Sequence, residues 1–203
     1  MNKSTVYLVD DDPGVLKALS RLLRTEGWSV SAFASAQAFL DALPQDALGC
    51  VVLDLAMPGM DGRALHNELV ARGSVLAVIF LTGHGDLATG IAAMKTGAVD
   101  FLSKPVNDAQ LLAAVRTAVE RSRAAHADAA EVQELQQRLA KLTPREREVM
   151  QLVVAGLLNK QIADALGTVE KTVKVHRARV MEKMKARSLA ELVRLADRAG
   201  RER

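Results

Sequence analysis

Residues 51–62 read VVLDLAMPGMDG. Three apolar residues run straight into a carboxylate, Asp54, and Pro58-Gly59 follows. A strand with one wet face alternates apolar and polar residues. This one does not, so it is predicted to be buried on both faces, with Asp54 at its tip.

Short apolar runs of the same kind recur at Val6–Val9, Val30–Phe33, Val78–Leu81 and Val99–Leu102. Amphipathic helix patterns lie between them. Pro13–Glu26 places Leu16, Leu19 and Leu23 on one face, with Pro13 as first helical residue. Ser35 caps a helix through Leu43, Asp61 one through Ala71, and Asp86 one ending at Gly97. Asn107 or Asp108 opens a fifth helix, with Leu111, Leu112, Val115 and Val119 as its buried stripe. Strands alternating with helices imply an α/β doubly wound, five-stranded parallel sheet. In such sheets, ligands bind beyond the carboxyl ends of the strands.

The chain's 203 residues suffice for two small domains. No apolar run approaches the roughly 18 residues of a membrane span. The start, MNKSTVYLVDDD, lacks a secretory-signal layout. The single cysteine, Cys50, lies in a predicted buried strand and makes no internal disulfide, so a cytoplasmic location is expected. Charge is uneven. Residues 1–122 hold 10 Lys+Arg and 13 Asp+Glu, while residues 123–203 hold 17 and 11. An acidic front and a basic back imply different partners, nucleic acid for the second.

RSRAAHADAAEVQELQQRLAK, residues 121–141, has no Gly or Pro and reads as a continuous helix joining the domains. Val132, Leu135, Leu139 and Leu142 form a heptad-like seam. The seam serves either a short dimeric coiled coil or packing against its own domain. From Leu142 the chain reads as all helical. Thr143-Pro144-Arg145-Glu146 is a capping box with Pro at the first helical position, on a helix that stops at Gly156. Helices over Lys160–Leu166, Val169–Lys185 and Leu189–Ala199 follow, the first two meeting at Gly167 as a helix-turn-helix. The expected domains are 1–122, a linker at 123–141, and 142–203.

Chemistry is expected at the strand ends. Asp10, Asp11 and Asp12 follow the first strand, Asp54 ends the third, Thr82 the fourth, and Lys104-Pro105 lies past the fifth. Crowded carboxylates need a cation, and an all-oxygen set suits Mg²⁺. This supports phosphoryl transfer onto Asp54. The Lys104 ammonium and Mg²⁺ neutralise the phosphoryl oxygens, the Thr82 hydroxyl donates to one, and Gly83 leaves room. Asp12 also reads simply as a helix cap.

The set LVDDD, VVLDLAMPGMDG, FLTGHGD and DFLSKP resembles the receiver domain of bacterial two-component response regulators. The resemblance implies that Asp54 is phosphorylated by a sensor histidine kinase. It implies Mg²⁺ on Asp11, Asp54 and the Ala56 carbonyl, with Asp10 acting through water. It further implies that Thr82 and Phe101 form a switch pair, and that the Lys104–Pro105 bond is cis. Phe101 also reads as ordinary core. Together with GHGDLATGIAAMKTGAVDF, the set is most similar to the FixJ-like subfamily, in which Arg or another long polar residue often stands two past the phosphorylated Asp. Ala56 stands there in this chain, so phospho-Asp54 is expected to be less shielded from water.

LTPREREVMQLVVAGLLNKQIADALGTVEKTVKVHRARVMEKM resembles the LuxR/FixJ-type DNA-binding domain. On its recognition helix, Val173, Val180 and Met184 share a core side, while Lys171, Lys174, Val175 and Ala178 share the other. Residues 169–187 carry seven Lys+Arg against two Asp+Glu, more one-sided than a merely solvated face. The resemblance places base contacts at Lys174, Val175 and Ala178. Lys160, Lys171, Arg177 and Arg179 are candidates for phosphate contacts, and Thr172 is counted with the DNA-binding set. His176 reads as packed or backbone-bonded. The family commonly has Ser where this chain has Val169, so Thr168 is expected to cap that helix.

The expected protein is a phosphorylation-activated transcription factor rather than an enzyme, with at most slow Mg²⁺-dependent self-phosphorylation and autodephosphorylation. Its expected partners are the kinase, double-stranded promoter DNA, RNA polymerase and, once phosphorylated, a second copy of itself. The alternatives are a regulator working without phosphorylation and a phosphoaspartyl hydrolase. The hydrolase needs a second Asp at position 56, where Ala stands.

Overall fold

The computed structural model describes residues 4–83 and 100–200. They divide into two compact units, with the boundary between Ala127 and Asp128.

In the first unit, β1 (Thr5–Val9), β2 (Ser29–Phe33), β3 (Gly49–Asp54), β4 (Ala77–Thr82) and β5 (Asp100–Ser103) form one parallel sheet in the order β2-β1-β3-β4-β5. Helices α1 (Pro13–Thr25), α2 (Ala36–Ala42) and α3 (Gly62–Ala71) connect the early strands. Each starts at the predicted cap. Asp12 accepts from the Gly14 and Val15 N–H groups, Ser35 from Ala38, and Asp61 from Ala64. The predicted helix from Asp86 to Gly97, and Val99 of the predicted fifth strand, lie outside the described residues.

All six residues of β3 are buried. Its alternate side chains enter two separate cores. Val51 and Leu53 pack with Phe39, Leu65, Leu69 and Phe80. Cys50 and Val52 pack with Leu19, Leu23, Leu111 and Val115. A parallel sheet covered on both faces needs this unbroken apolar run. Cys50 is a strand thiol whose pKa burial pushes up to about 12, so it is inert.

Helix α4 (Asp108–Ala140) is one element, continuous through the predicted linker. Its start is capped by Asn107, whose Oδ1 accepts from the Gln110 N–H at 3.1 Å. In the second unit α5 (Pro144–Val154), α6 (Asn159–Ala165), α7 (Glu170–Met184) and α8 (Leu189–Gly200) surround a core of Val149, Val153, Ile162, Val173, Val180, Met184 and Leu192. Of the two readings of the heptad-like seam, packing against its own domain describes three of the four residues: Leu135 and Leu142 are buried in this core and Leu139 packs against it, while Val132 is half-buried. The last turns of α4 therefore belong to the second unit, because its small core needs them. Thr168 does not cap α7. The cap residue is Val169, in extended backbone, and no side chain accepts there.

Candidate functional site

The strand order reverses between β1 and β3, and the register decides what meets there. Val9 pairs with Leu53, so Asp10 and Asp54 leave adjacent strands at the same level. Both are buried, at 2% and 5% exposure, while Asp11 beside them is exposed. Each of these three carboxylates offers an oxygen to a set lying within 4.8 Å of one another.

Lys104 follows β5 and is placed by its own N–H, which donates to the Thr82 carbonyl at 2.7 Å. Its Nζ lies 2.6 Å from Asp10 Oδ2 and 3.0 Å from Asp54 Oδ2. Burial pulls the ammonium pKa down. Hydrogen bonds and charge from Asp10 and Asp54 together outweigh that and hold it above the ordinary lysine value. The other carboxylate oxygens meet backbone. Asp10 Oδ1 accepts from the Asp12 N–H at 2.9 Å, and Asp54 Oδ1 from the Ala56 N–H at 3.4 Å. The Lys104–Pro105 peptide is cis.

Thr82 is buried, and its hydroxyl donates to the Gly83 carbonyl at 3.2 Å. Among the described residues, a Cβ added at Gly83 would meet nothing within 4 Å. Ala56 is exposed. Phe101 is half-buried and packs against the core that contains Val51 and Phe80. The sequence reading passed over Gly62. Its Cβ position lies 2.4 Å from the Asp54 carbonyl oxygen, so α3 starts in direct backbone contact with the end of β3.

The basic surface of the second unit is built on α6 and α7. Val173, Val180 and Met184 are buried, which turns Lys171, Lys174, Val175, Ala178 and Arg179 outward. Val175 is 45% exposed. Lys160 on α6 is exposed, and Thr172 is half-buried. Arg177 differs from expectation: it is half-buried and donates to Asn159 Oδ1 at 3.1 Å, tying α7 to the start of α6. His176 is half-buried. Its buried Nδ1 has no hydrogen-bond partner among the described residues.

An ion pair to a buried carboxylate ties this unit's helices together. Glu146, 2% exposed, completes the Thr143 capping box and pairs with Lys183 Nζ at 2.6 Å. The capping box is legible in sequence, whereas the Lys183 contact needs α5 packed on α7. Hydrogen bonds from Lys183 and then from the Thr143 backbone hold the Glu146 carboxyl down at about 2. A depressed carboxyl stabilises the fold fully above its unfolded value and loses that contribution as pH falls toward the folded one. Acid melting of the native chain should therefore deepen from pH ~5 toward pH ~2. Glu146→Gln should cost about 1.5–3 kcal/mol near neutrality and flatten that dependence. Equal melting profiles for the two proteins would contradict this.

The doubly wound sheet, with a lysine-bridged acid pair at its switch point, defines a receiver domain, and residues 6–116 match the response regulator receiver domain family. Residues 140–196 match the bacterial regulatory proteins of the luxR family. The chain belongs to the response regulators that join a receiver to a LuxR-type DNA-binding domain. It is 46% identical over 198 residues to the transcriptional regulatory protein FixJ of Bradyrhizobium diazoefficiens, covering 98% of this chain and 97% of that protein. The structure of the response regulator StyR matches with a TM-score of 0.87 at 42% identity, over 97% of this chain and 99% of that one. Full-length FixJ from B. japonicum matches over 100% of both chains, with a TM-score of 0.59 and 45% identity. No helix among the described residues is long and apolar enough to cross a membrane.

Proposed function

We propose that this response regulator is switched by phosphorylation of Asp54 and acts by binding promoter DNA. The observation carrying the proposal is the buried Asp54 carboxylate, level with Asp10 and bridged to it by Lys104. A histidine kinase supplies the group: an Asp54 oxygen attacks phosphorus, the P–N bond of the phosphohistidine breaks, and the imidazole leaves. Lys104 then neutralises the phosphoryl oxygens, and the Thr82 hydroxyl turns from the Gly83 carbonyl toward one of them. Phe101 follows Thr82 as the second half of the switch. The oxygen-only set of Asp10, Asp11 and Asp54 fits a hard divalent cation. Mg²⁺ held by Asp11, Asp54 and the Ala56 carbonyl, with Asp10 through water, would supply charge neutralisation at the phosphoryl oxygens. Slow self-phosphorylation and autodephosphorylation are the only reactions of the isolated chain.

Residues 1–122 act as receiver and residues 142–203 bind DNA, with residues 123–141 joining them. Lys174, Val175 and Ala178 read base edges; Lys160, Lys171 and Arg179 contact phosphates, with Thr172 at the edge of the same surface. Arg177 reaches a phosphate only by leaving Asn159. The phosphorylated protein works in the cytoplasm as a homodimer on two symmetric half-sites and engages RNA polymerase there. Selecting bound duplexes from a random pool, with and without acetyl phosphate and Mg²⁺, tests this. A paired half-site enriched under phosphorylating conditions is expected, and enrichment indifferent to phosphorylation would refute the switch.

Ala56 bears on the lifetime of the modified state. Its small, exposed side chain leaves an Asp54 phosphoryl group open to water. Ala56→Arg should change the rate of phosphate loss several-fold, measured by decay of labelled phosphoprotein. Equal rates would remove Ala56 from the account.

A further inference from the structure

The recognition helix carries an acid in its first turn, on a surface that meets a polyanion. Glu170 is the first residue of α7, and its Oε1 lies 3.3 Å from Lys174 Nζ, one turn on. Both side chains are largely in solvent, at 49% and 64% exposure. Most other cations near this helix are held elsewhere: Lys183 by Glu146, Lys185 by Glu134, and Arg177 by Asn159. Only Lys171 and Arg179 on α7 carry no ion pair or side-chain hydrogen bond among the described residues. Glu170 thus engages the cation assigned above to base reading and leaves the phosphate-contacting ones free.

We propose that Glu170 is a specificity-determining residue, acting as a tether that withholds Lys174 from DNA phosphates. On arbitrary sequence, Lys174 gains a phosphate only by leaving Glu170, and the stranded carboxylate then faces the polyanion. On the correct site, a guanine offers O6 and N7 in the major groove, where Lys174 donates while staying near Glu170. The pair therefore costs little on the right sequence and weakens binding to the wrong one. The competing account is local: a Glu in the first turn complements the helix dipole, more so where Val169 provides no cap. That account predicts a loss of helix stability and no change in discrimination.

The proposal rests on α7 being the DNA-reading helix. Its test is equilibrium binding of the full chain, treated with acetyl phosphate and Mg²⁺, to the selected duplex and to random-sequence duplex across a salt series. Glu170→Gln should tighten random-sequence binding several-fold, leave binding to the selected duplex nearly unchanged, and so lower the specific-to-random ratio by the same factor. It should also steepen the random-sequence salt slope by about 0.9, one added phosphate contact. In a Lys174→Gln background the same substitution should do none of these. Equal weakening on both duplexes with a lowered Tm would overturn the proposal in favour of the dipole. An undiminished Glu170→Gln effect in the Lys174→Gln background would overturn it in favour of general charge repulsion. A native protein without site preference overturns the DNA-reading role of α7 and this proposal with it; a preference undiminished by Glu170→Gln overturns this proposal alone.

Discussion

Asp54→Asn is expected to abolish phosphoryl incorporation and to leave DNA binding at its unphosphorylated level whatever the phosphodonor. The amide keeps the size of the carboxylate but is a poor nucleophile, and it removes one of the two charges that hold Lys104. The fold should survive, because Asp10 still pairs with Lys104 at 2.6 Å. In the native protein, phosphorylation should strengthen DNA binding by about 5- to 150-fold, the usual range for coupling between two sites. The variant should show none of that gain in a gel shift run with labelled acetyl phosphate. A variant that still takes up label places the acceptor elsewhere. One that takes up none, yet binds DNA as tightly as phosphorylated native protein, detaches the DNA response from phosphorylation.

Gly49→Ala is expected to unfold the receiver. Gly49 opens β3 at φ +138°, a backbone conformation that side chains rarely tolerate. A Cβ there would lie 1.9 Å from the Thr5 carbonyl oxygen, and the obstacle is the backbone of β1, its ladder partner. The Gly49 N–H also receives a buried partner, the Ser122 hydroxyl oxygen at 3.2 Å. Relieving the clash means parting two central strands or losing that bond. Backbone strain and overpacking each cost about 1–3 kcal/mol, so their sum is a large part of a domain's total stability. Gly83→Ala, where a Cβ meets nothing within 4 Å among the described residues, is the control and should melt as native. A Gly49→Ala protein melting within a degree or two of native would show that β1 and β3 adjust freely. Gly62 carries the same constraint closer to the site, since its Cβ would press on the Asp54 carbonyl.

Much of the receiver site was legible because its residues are close to strand ends. The residue that ends each strand is readable from an apolar run, and a parallel sheet collects those ends on one edge. Asp10, Asp54, Thr82 and Lys104 all follow from that rule. Gly49 and Gly62 were passed over for the opposite reason. What constrains each is the backbone of another segment, which no local pattern reports. The seam of Leu135, Leu139 and Leu142 shows the same limit. Heptad spacing reveals an apolar stripe but not what covers it, and the core of the second unit covers this one.

On the DNA-binding side, helical period alone separated Val173, Val180 and Met184 from the exposed Lys171, Lys174, Val175 and Ala178. It did not distinguish cations free to meet DNA from those already engaged. Arg177 and Lys183 look alike in sequence to Lys171, yet Asn159 holds the first and buried Glu146 the second. Among the described residues, sequence by itself determined the strand and helix order, the strand-end acids and the outward face of α7, because each follows from periodicity and from caps within a few residues. Tertiary structure alone decided that Lys104 bridges Asp10 and Asp54, that two glycines sit against backbone, and that part of the basic charge is spoken for. Those are distances between segments far apart along the chain, and only packing sets them.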